Sequence, residues 1–212
     1  MKVGIDMGTV QGGQPAKLDI EELLATRLLV QGNSGSGKSH LLRRLLEQSA
    51  QWVQQVIIDP EGDFVTLSDK YGHVVVDGER TEAELAGIAD RIRRHRVSCV
   101  LTLEGLDVEQ QMRAAGAFLN GLFDADREFW YPVLVVVDEA QMFAPAVGGD
   151  HDAVSAALEE GPETGPDRLV VVDEQDGGAL VAHDDIHVAN TGMPTATAMS
   201  RPTATIVAAS AR

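Results

Sequence analysis

A glycine-rich stretch near the start of the chain has the residue types and spacing that bind phosphate. Residues 32–39 read GNSGSGKS and match the pattern G-x-x-x-x-G-K-S/T at every fixed position. Glycines let the backbone curl so that successive N–H groups point at phosphate oxygens, and a following helix adds its positive N-terminal end. In such a loop Lys38 contacts the β and γ phosphates, and the Ser39 hydroxyl binds magnesium. The stretch therefore predicts a Walker A loop that binds ATP with Mg2+.

The residues predicted to contact the nucleotide are the loop and the residue that follows it. They are Gly32, Asn33, Ser34, Gly35, Ser36, Gly37, Lys38, Ser39 and His40. An apolar run at 27–31 precedes the loop, and leucines at helical spacing follow it between residues 39 and 51. A flexible Gly/Ser loop without a ligand is the competing interpretation, and this context of strand and helix disfavours it.

A second acidic site is predicted where an apolar run ends in two carboxylates. Residues 132–137 read PVLVVV, and Asp138 and Glu139 follow directly. Ligands of open α/β sheets bind at the carboxyl ends of strands, so Asp138 is placed to hold magnesium together with Ser39. Glu139 is then placed to polarise the attacking water, which makes Lys38 and Glu139 the predicted catalytic residues.

Two alternatives to this acidic site stay open. A strand can simply end in two solvated acids that bind nothing. Residues 169–174 read LVVVDE, so Asp173 and Glu174 compete for the same role. We rank this second pair lower because the sequence around it is poor in core-forming residues.

The elements that must position these groups alternate along the first two thirds of the chain. Predicted strands lie at 27–31, 53–58, 73–76, 97–103 and 132–137, and predicted helices at 39–51, 81–96 and 107–124. Thr81 and Glu84 have the spacing of a capping box at the start of the second helix. Continuous apolar runs such as VLVVV are typical of strands buried on both faces. The alternation predicts a three-layer α/β domain with a mostly parallel sheet.

Three motifs taken together resemble the HerA/FtsK superfamily of P-loop ATPases, and most closely its HerA-type central domain. They are GNSGSGKSH at 32–40, IIDPEGDF at 57–64 and VVVDEAQMFAP at 135–145. The DPEGD part of the second motif is more selective than the loop. The resemblance covers about residues 1–147 and implies a RecA-like core. In that core another strand separates the phosphate-loop strand from the Walker B strand.

The same resemblance implies an activity and partners that the residues alone do not establish. It implies an ATP hydrolase that works as a DNA helicase or translocase, with DNA as its partner and a homo-oligomeric ring as its assembly. For Asp59 and Glu61 we expect only a position near the carboxyl end of a strand, close to the nucleotide. Two other functions stay open, a P-loop kinase for a small molecule and a nucleotide-binding module without turnover.

The charge balance argues against a surface built as a whole to hold nucleic acid. The 212 residues carry a net charge of −16, whereas DNA-binding domains usually have a basic footprint. The dense basic stretch at 91–96 fits the solvated C-terminal end of a helix. A local basic patch or an assembled ring could still bind DNA.

Other features bear on the cellular setting. No apolar run approaches the ~20 residues that a membrane helix needs. Residues 1–14 lack a basic-then-apolar signal pattern, so we expect a cytoplasmic protein that has no membrane partner. The single cysteine, Cys99, is expected in a buried strand, and no intramolecular disulfide can form.

The composition changes after residue 148. Residues 151–212 hold ten acidic and three basic residues, and periodicity is weak from residue 191. We therefore divide the chain into a P-loop ATPase core at 1–147 and a divergent tail at 148–212, which is expected to be loop or disorder.

The tail also departs from the family that the core resembles. That family follows its Walker B strand with a basic stretch like Gly-Arg-Lys-Arg-Gly-Leu and a later Thr-Ser-Gln-Arg. This chain has GPETGP at 161–166 and VDEQD at 172–176. Codons for these residues, when shifted by one nucleotide, can encode Gly-Arg-Lys-Arg-Gly-Leu and Thr-Ser-Lys-Met. A frameshift near 158–161 and a divergent acidic extension are therefore the two explanations.

Overall fold

The computed structural model describes residues 3–9, 13–25, 28–31, 35–143, 168–169 and 204–210. The predicted boundary at 147/148 lies outside these ranges and stays a prediction. Within them, no helix is long and apolar enough to cross a membrane.

The described elements alternate between strand and helix from β3 to β7. The strands are β1 (Gly4–Thr9), β2 (Pro15–Asp19), β3 (Leu28–Gln31), β4 (Gln54–Asp59), β5 (Val74–Asp77), β6 (Cys99–Thr102), β7 (Val133–Val137), β8 (Arg168–Leu169) and β9 (Ala204–Ser210). The helices are α1 (Ile20–Leu24), α2 (Lys38–Ser49), α3 (Leu67–Tyr71), α4 (Glu82–His95) and α5 (Val108–Phe123), with 3-10 turns at Arg127–Phe129 and Ala140–Met142. The five strands and three long helices of the sequence analysis are confirmed, within a few residues at their ends. The β1–β2 hairpin, α1 and α3 were not predicted.

The main sheet is parallel and has the strand order β3-β9-β7-β4-β6-β5, with β8 paired to β9. At the centre of the sheet, Val56 of β4 is paired with Val135 of β7 on one side and with Cys99 of β6 on the other. Helical crossovers connect the parallel strands of its centre, as the βαβ arrangement requires. The prediction of an α/β domain with a mostly parallel sheet is confirmed.

Strand β9 lies between the phosphate-loop strand β3 and the strand β7 that precedes Asp138. This order agrees with the one that the HerA/FtsK resemblance implies. The strand itself was not expected, because the sequence predicted loop or disorder for the last part of the tail. Residues 204–210 read ATIVAAS and pair with both neighbouring strands. An apolar, partly β-branched run of this kind is compatible with a central parallel strand, but the Ala- and Thr-rich sequence around it has no clear periodicity that predicts one.

Two apolar clusters, one on each face of the sheet, make the domain three-layered. Alternate residues of β7 divide between them: Val133, Val135 and Val137 pack with α4 and α5, whereas Leu134 and Val136 pack with α2. The central strands are buried on both faces, as their continuous apolar runs predicted. Burial also raises the pKa of the Cys99 thiol, which keeps it protonated as a small core side chain.

Capping boxes begin the two helices that cover one face. The Thr81 hydroxyl accepts the N–H of Glu84 at 3.3 Å, and the Glu84 carboxylate accepts the N–H of Thr81 at 3.0 Å. Asp107 and Gln110 form the same pair of bonds at the start of α5. The predicted cap at Thr81 is therefore confirmed, and these ends direct both helices across the sheet.

Candidate functional site

The predicted phosphate loop joins β3 to α2. Gly35 and Gly37 have φ angles of 81° and 95°, in the left-handed region where a side chain would be strained. Gly37 caps α2, and its carbonyl accepts the N–H of Leu41 at 2.9 Å. Of the remaining loop residues, Gly32, Asn33 and Ser34 lie outside the described ranges, and Ser36 is exposed.

The first turn of α2 presents the residues predicted to act on phosphate. Lys38 is the first helical residue and is only 9% exposed, Ser39 is half-buried and His40 is exposed. Leu42, Leu45 and Leu46 continue the buried face of α2 that begins at Lys38, and they pack against the sheet. Because these leucines fix the helix, the end that follows Gly37 is held at the carboxyl end of β3, where N–H groups are available to an anion.

The sheet register brings the phosphate loop and Asp138 to the same edge. Gln31, the last residue of β3, is level with Ser210 of β9, and Val137, the last residue of β7, is level with Ala208. The two strands therefore end within two residues of each other along the sheet. The structure thus places the predicted nucleotide-binding loop and the predicted acidic site on one side of the domain.

Asp138 is buried at this edge and its carboxylate is incompletely satisfied. The residue is 1% exposed, and its Oδ1 atom has no hydrogen-bond partner among the described residues. Burial raises the pKa of Asp138 to about 7, the N–H of Glu139 opposes that rise, and the negative charges of Glu139, Asp59 and Asp63 add to it. A buried carboxylate oxygen that lacks a donor and feels the negative charge of nearby carboxylates fits a site for a cation.

Glu139 has an unusual backbone conformation beside Asp138. Its φ of 48° puts a non-glycine residue in the left-handed region. Its carbonyl accepts the N–H of Met142 at 2.8 Å, which begins the 3-10 turn Ala140–Met142. Backbone strain of this kind is concentrated at functional sites.

No group of three or more His, Cys, Asp or Glu side chains within the described ranges is arranged to hold a metal. A cation at Asp138 would thus need ligands of another kind, such as the Ser39 hydroxyl and phosphate oxygens. This is the ligand set that Mg2+ takes at phosphate sites, where it keeps few protein ligands. The residues present therefore fit magnesium bound together with a nucleotide.

The second motif supplies Asp59 and Glu61, for which the sequence predicts only a position near the carboxyl end of a strand, close to the nucleotide. Asp59, the last residue of β4, is fully buried, whereas Glu61 is exposed. The main chain joins this strand end to the acidic site, because the N–H of Asp138 donates to the carbonyl of Ile58 at 3.1 Å. Burial raises the pKa of Asp59, an effect opposed by N–H groups of its own loop. The DPEGD motif predicted that these residues lie near the nucleotide. It did not predict that Asp59 is buried and Glu61 exposed.

Comparisons with known proteins agree with this description. The family described as the central domain of the helicase HerA matches residues 5–94. The match contains the phosphate loop and the DPEGD loop and ends before Asp138. No curated protein matches the chain.

Among solved structures, the chain is similar to VirB4 of Thermoanaerobacter pseudethanolicus. The sequence identity is 11%, the alignment covers 98% of this chain and 76% of that one, and the TM-score is 0.56. The genome packaging NTPase B204 from Sulfolobus turreted icosahedral virus 2, in complex with ATP-gammaS, matches at 12% identity over 89% of this chain and 66% of that one, with a TM-score of 0.41. At such identities only the fold is comparable, and only the VirB4 match is strong enough to support it.

Fold and site together define an α/β P-loop NTPase. Within that class, the resemblance to the HerA/FtsK superfamily and its HerA-type central domain is confirmed by the family match over residues 5–94.

Proposed function

We propose that this chain binds ATP with Mg2+ at the carboxyl edge of its sheet and hydrolyses the nucleotide. The observation that carries the proposal is the buried, unpartnered Oδ1 atom of Asp138 at the same edge as the phosphate loop. Such an atom is costly in a protein without a cation. A magnesium–nucleotide complex would supply that cation.

The proposed nucleotide contacts are the phosphate loop and its helix. The N–H groups of residues 32–40 surround the phosphates, with the left-handed conformations of Gly35 and Gly37 turning them inward. Lys38 contacts the β and γ phosphates, and Ser39 and Asp138 hold the magnesium. When bound, magnesium offsets the phosphate charge and polarises the phosphoryl group.

Glu139 is the proposed catalytic carboxylate. It follows Asp138 at the end of the strand, and its left-handed backbone conformation sets the direction in which its side chain leaves the main chain. A carboxylate at this position orients a water molecule toward the γ phosphate and accepts its proton as the new P–O bond forms and the bond to the β phosphate oxygen breaks. Lys38 offsets the charge that moves onto the leaving group.

The proposal extends to a more specific activity, in which a ring of subunits uses ATP hydrolysis to move along DNA. Its support is the HerA family match. The basic stretch at 91–96 is a poor candidate for the DNA contact: Arg94 is paired with Asp90 and Asp126, and Arg96 lies over the ring of Tyr131. These contacts favour the solvated helix end that the sequence predicts, so a DNA contact would arise elsewhere or from assembly.

A nucleotide-binding module without turnover is the second candidate. The observation that favours it is the shortage of cations in residues 151–212, which hold three basic residues. Phosphoryl transfer usually needs a cation beyond the phosphate-loop lysine. Nothing among the described residues adds support for the third alternative, a small-molecule kinase.

A steady-state ATPase assay with and without DNA, paired with calorimetric ATP titration, separates these functions. A motor should turn over ATP and be stimulated by DNA. A binding module should bind ATP and leave it intact, and a kinase should need an acceptor. Failure to bind ATP in the presence of Mg2+ would contradict all three.

A further inference from the structure

The loop between β4 and α3 folds around the carboxylate of Asp59. Its Oδ1 atom accepts the N–H of Asp63 at 3.0 Å, and its Oδ2 atom accepts the N–H of Phe64 at 2.8 Å. Both oxygens of this buried side chain are thus engaged within the protein. Asp138 differs, because its Oδ1 atom has no partner among the described residues. The two buried carboxylates at this edge therefore have different roles open to them.

The loop that surrounds Asp59 has little freedom to take another shape. Pro60 has no N–H and ends the ladder of β4. Gly62 has a φ of 79°, and a Cβ atom there would lie 2.8 Å from Oε2 of Glu104. Phe64 is fully buried in the cluster that contains Leu42 and other α2 side chains. The carboxylate, the glycine and the ring together hold one conformation of residues 60–64.

The same loop is bound to the phosphate helix through Arg43. Nη2 of Arg43 donates to the carbonyl oxygen of Asp63, and its guanidinium carbon lies 5.7 Å from the centre of the Phe64 ring. Arg43 thereby contacts the two residues whose N–H groups bind Asp59. The chain of contacts runs from the Asp59 carboxylate, through Asp63 and Phe64, to α2.

The position of Arg43 on α2 explains what this chain of contacts controls. Arg43 is four residues after Ser39, so the two lie on the same face of the helix, one turn apart. A contact at Arg43 therefore fixes the first turn of α2 relative to β4. Strand β4 in turn is bonded to Asp138 through the carbonyl of Ile58. Through these contacts the loop connects the helix that carries Ser39 to the strand that is bonded to Asp138, the two proposed magnesium ligands.

We infer that Asp59 is a positioning residue of the nucleotide site, which acts through residues 60–64 and Arg43 and does not bind the metal. The effect on ATP rests on the proposed function. The folding of the loop by Asp59 and its contact with α2 are properties of the nucleotide-free protein and can be tested separately.

The first test is amide hydrogen exchange of the nucleotide-free protein. Asp59→Asn puts an NH2 group where one N–H needs an acceptor, so exchange at Asp63 and Phe64 should become at least about tenfold faster. Arg43→Ala should speed exchange at the same two amides and in the first turn of α2. The matched control is Arg44→Ala: Arg44 is the next residue on α2 but bonds to the carbonyl of Asp6 at 2.9 Å, away from the loop. Its exchange at the loop should be unchanged.

The second test is a double-mutant cycle on the dissociation constant of ATP with Mg2+. Asp59→Asn should weaken affinity about tenfold and Arg43→Ala about threefold to tenfold, while the double variant should resemble Asp59→Asn because both act through one loop. Arg44→Ala should stay within about twofold. Asp59→Asn should keep the magnesium dependence of ATP binding, and Asp138→Ala should lose it.

Three results would overturn the inference. The first is unchanged hydrogen exchange at Asp63 and Phe64 in Asp59→Asn. The second is loss of magnesium dependence in that variant while the loop stays protected from exchange. The third is a double variant whose loss of ATP affinity equals the product of the two single losses. If Asp59→Asn does not fold, Arg43→Ala decides, because its loop and helix turn must lose protection. If the unmodified chain binds no ATP, the proposed function fails, and the exchange measurement still decides whether Asp59 holds the loop.

Discussion

Strand β4 carries a buried polar cluster at each of its ends, and the two clusters are built differently. At its start, Ser49, Gln55 and His73 form what we call the neutral network. The Gln55 amide nitrogen donates to the carbonyl of Leu46 at 2.9 Å and to the Ser49 hydroxyl at 2.7 Å, and its oxygen lies 2.9 Å from Nε2 of His73. Since the Gln55 oxygen must accept, Nε2 of His73 carries the hydrogen.

At the other end of β4, Asp59 and Asp138 form what we call the charged cluster. Asp59 is bonded by its own loop, but Asp138 keeps an oxygen without a partner and a pKa raised by burial to about 7. The neutral network links α2, β4 and the residue before β5 by hydrogen bonds between uncharged groups, and Nδ1 of His73 has no partner among the described residues. The charged cluster would be completed by the cation that we propose. Each cluster therefore has one buried atom without a partner in the part of the chain that the structure describes, and the difference between them is charge. An unpartnered carboxylate oxygen close to other negative charges indicates a candidate ligand site, whereas hydrogen-bonded neutral groups indicate a structural network.

The largest expected effect is on the rate of hydrolysis. Glu139→Gln should lower turnover by about 10²–10⁴-fold, because it keeps the shape of the side chain and removes the base that orients water. Affinity for ATP should be retained. The measurement is steady-state ATPase activity beside calorimetric titration. Glu174→Gln is the matched control, and if it stops turnover while Glu139→Gln does not, the Walker B assignment belongs to the later strand.

Next in size is the loss of ATP affinity in Lys38→Ala. We expect ATP to bind at least about 100-fold more weakly, since the variant removes the charge placed at the β and γ phosphates. Gln55→Leu, in the neutral network, should instead lower the free energy of unfolding by about 1–3 kcal/mol and leave ATP affinity unchanged. Equal ATP affinity in Lys38→Ala and the unmodified chain would contradict the phosphate-loop assignment and the contrast between the clusters.

A smaller effect is expected when the charge of Asp138 is removed. Because its pKa is raised from 3.8 to about 7, the folded state binds the extra proton, and its contribution to stability falls as the pH rises from about 4 to 7. Asp138→Asn should therefore raise the free energy of unfolding of the nucleotide-free protein by about 2 kcal/mol at pH 8. It should also remove the extra stabilisation that Mg2+ adds when ATP is bound. Urea unfolding at pH 5 and pH 8 measures both, and a variant that is less stable at pH 8 would argue against an unsatisfied site.

The smallest expected effect concerns His73 in the neutral network. Burial lowers the pKa of His73 below its ordinary value of 6.5, so its stability contribution is present above that pH and is lost as the pH falls through the folded-state pKa. His73→Gln keeps a donor for Gln55 and does not titrate. The unmodified chain should lose about 1 kcal/mol relative to this variant between pH 7 and pH 5. The measurement is the free energy of unfolding of both proteins as a function of pH. If the two curves run parallel, His73 is not buried as a neutral group.

Several features could be predicted from neighbouring residues alone. The phosphate loop is readable because Gly35, Gly37 and Lys38 must follow one another at fixed spacing to surround a phosphate. The capping box of Thr81 and Glu84 depends on residues three positions apart, and the buried strands on continuous apolar runs. Asp138 was identified because it directly follows such a run. Each of these signals lies within a few residues, where backbone geometry links sequence to structure.

Other features were decided by contacts between distant segments. The insertion of β9 between β3 and β7 depends on pairing across more than 60 residues of chain, which no local pattern of ATIVAAS indicates. The inward turn of the Asp59 carboxylate and the link from Asp63 to Arg43 depend on how α2 packs over β4. The raised pKa of Asp138 arises mainly from burial at the sheet edge, and the left-handed backbone of the next residue, Glu139, follows from no local pattern in the sequence. These properties depend on register, desolvation and packing, which exist only once the strands lie side by side.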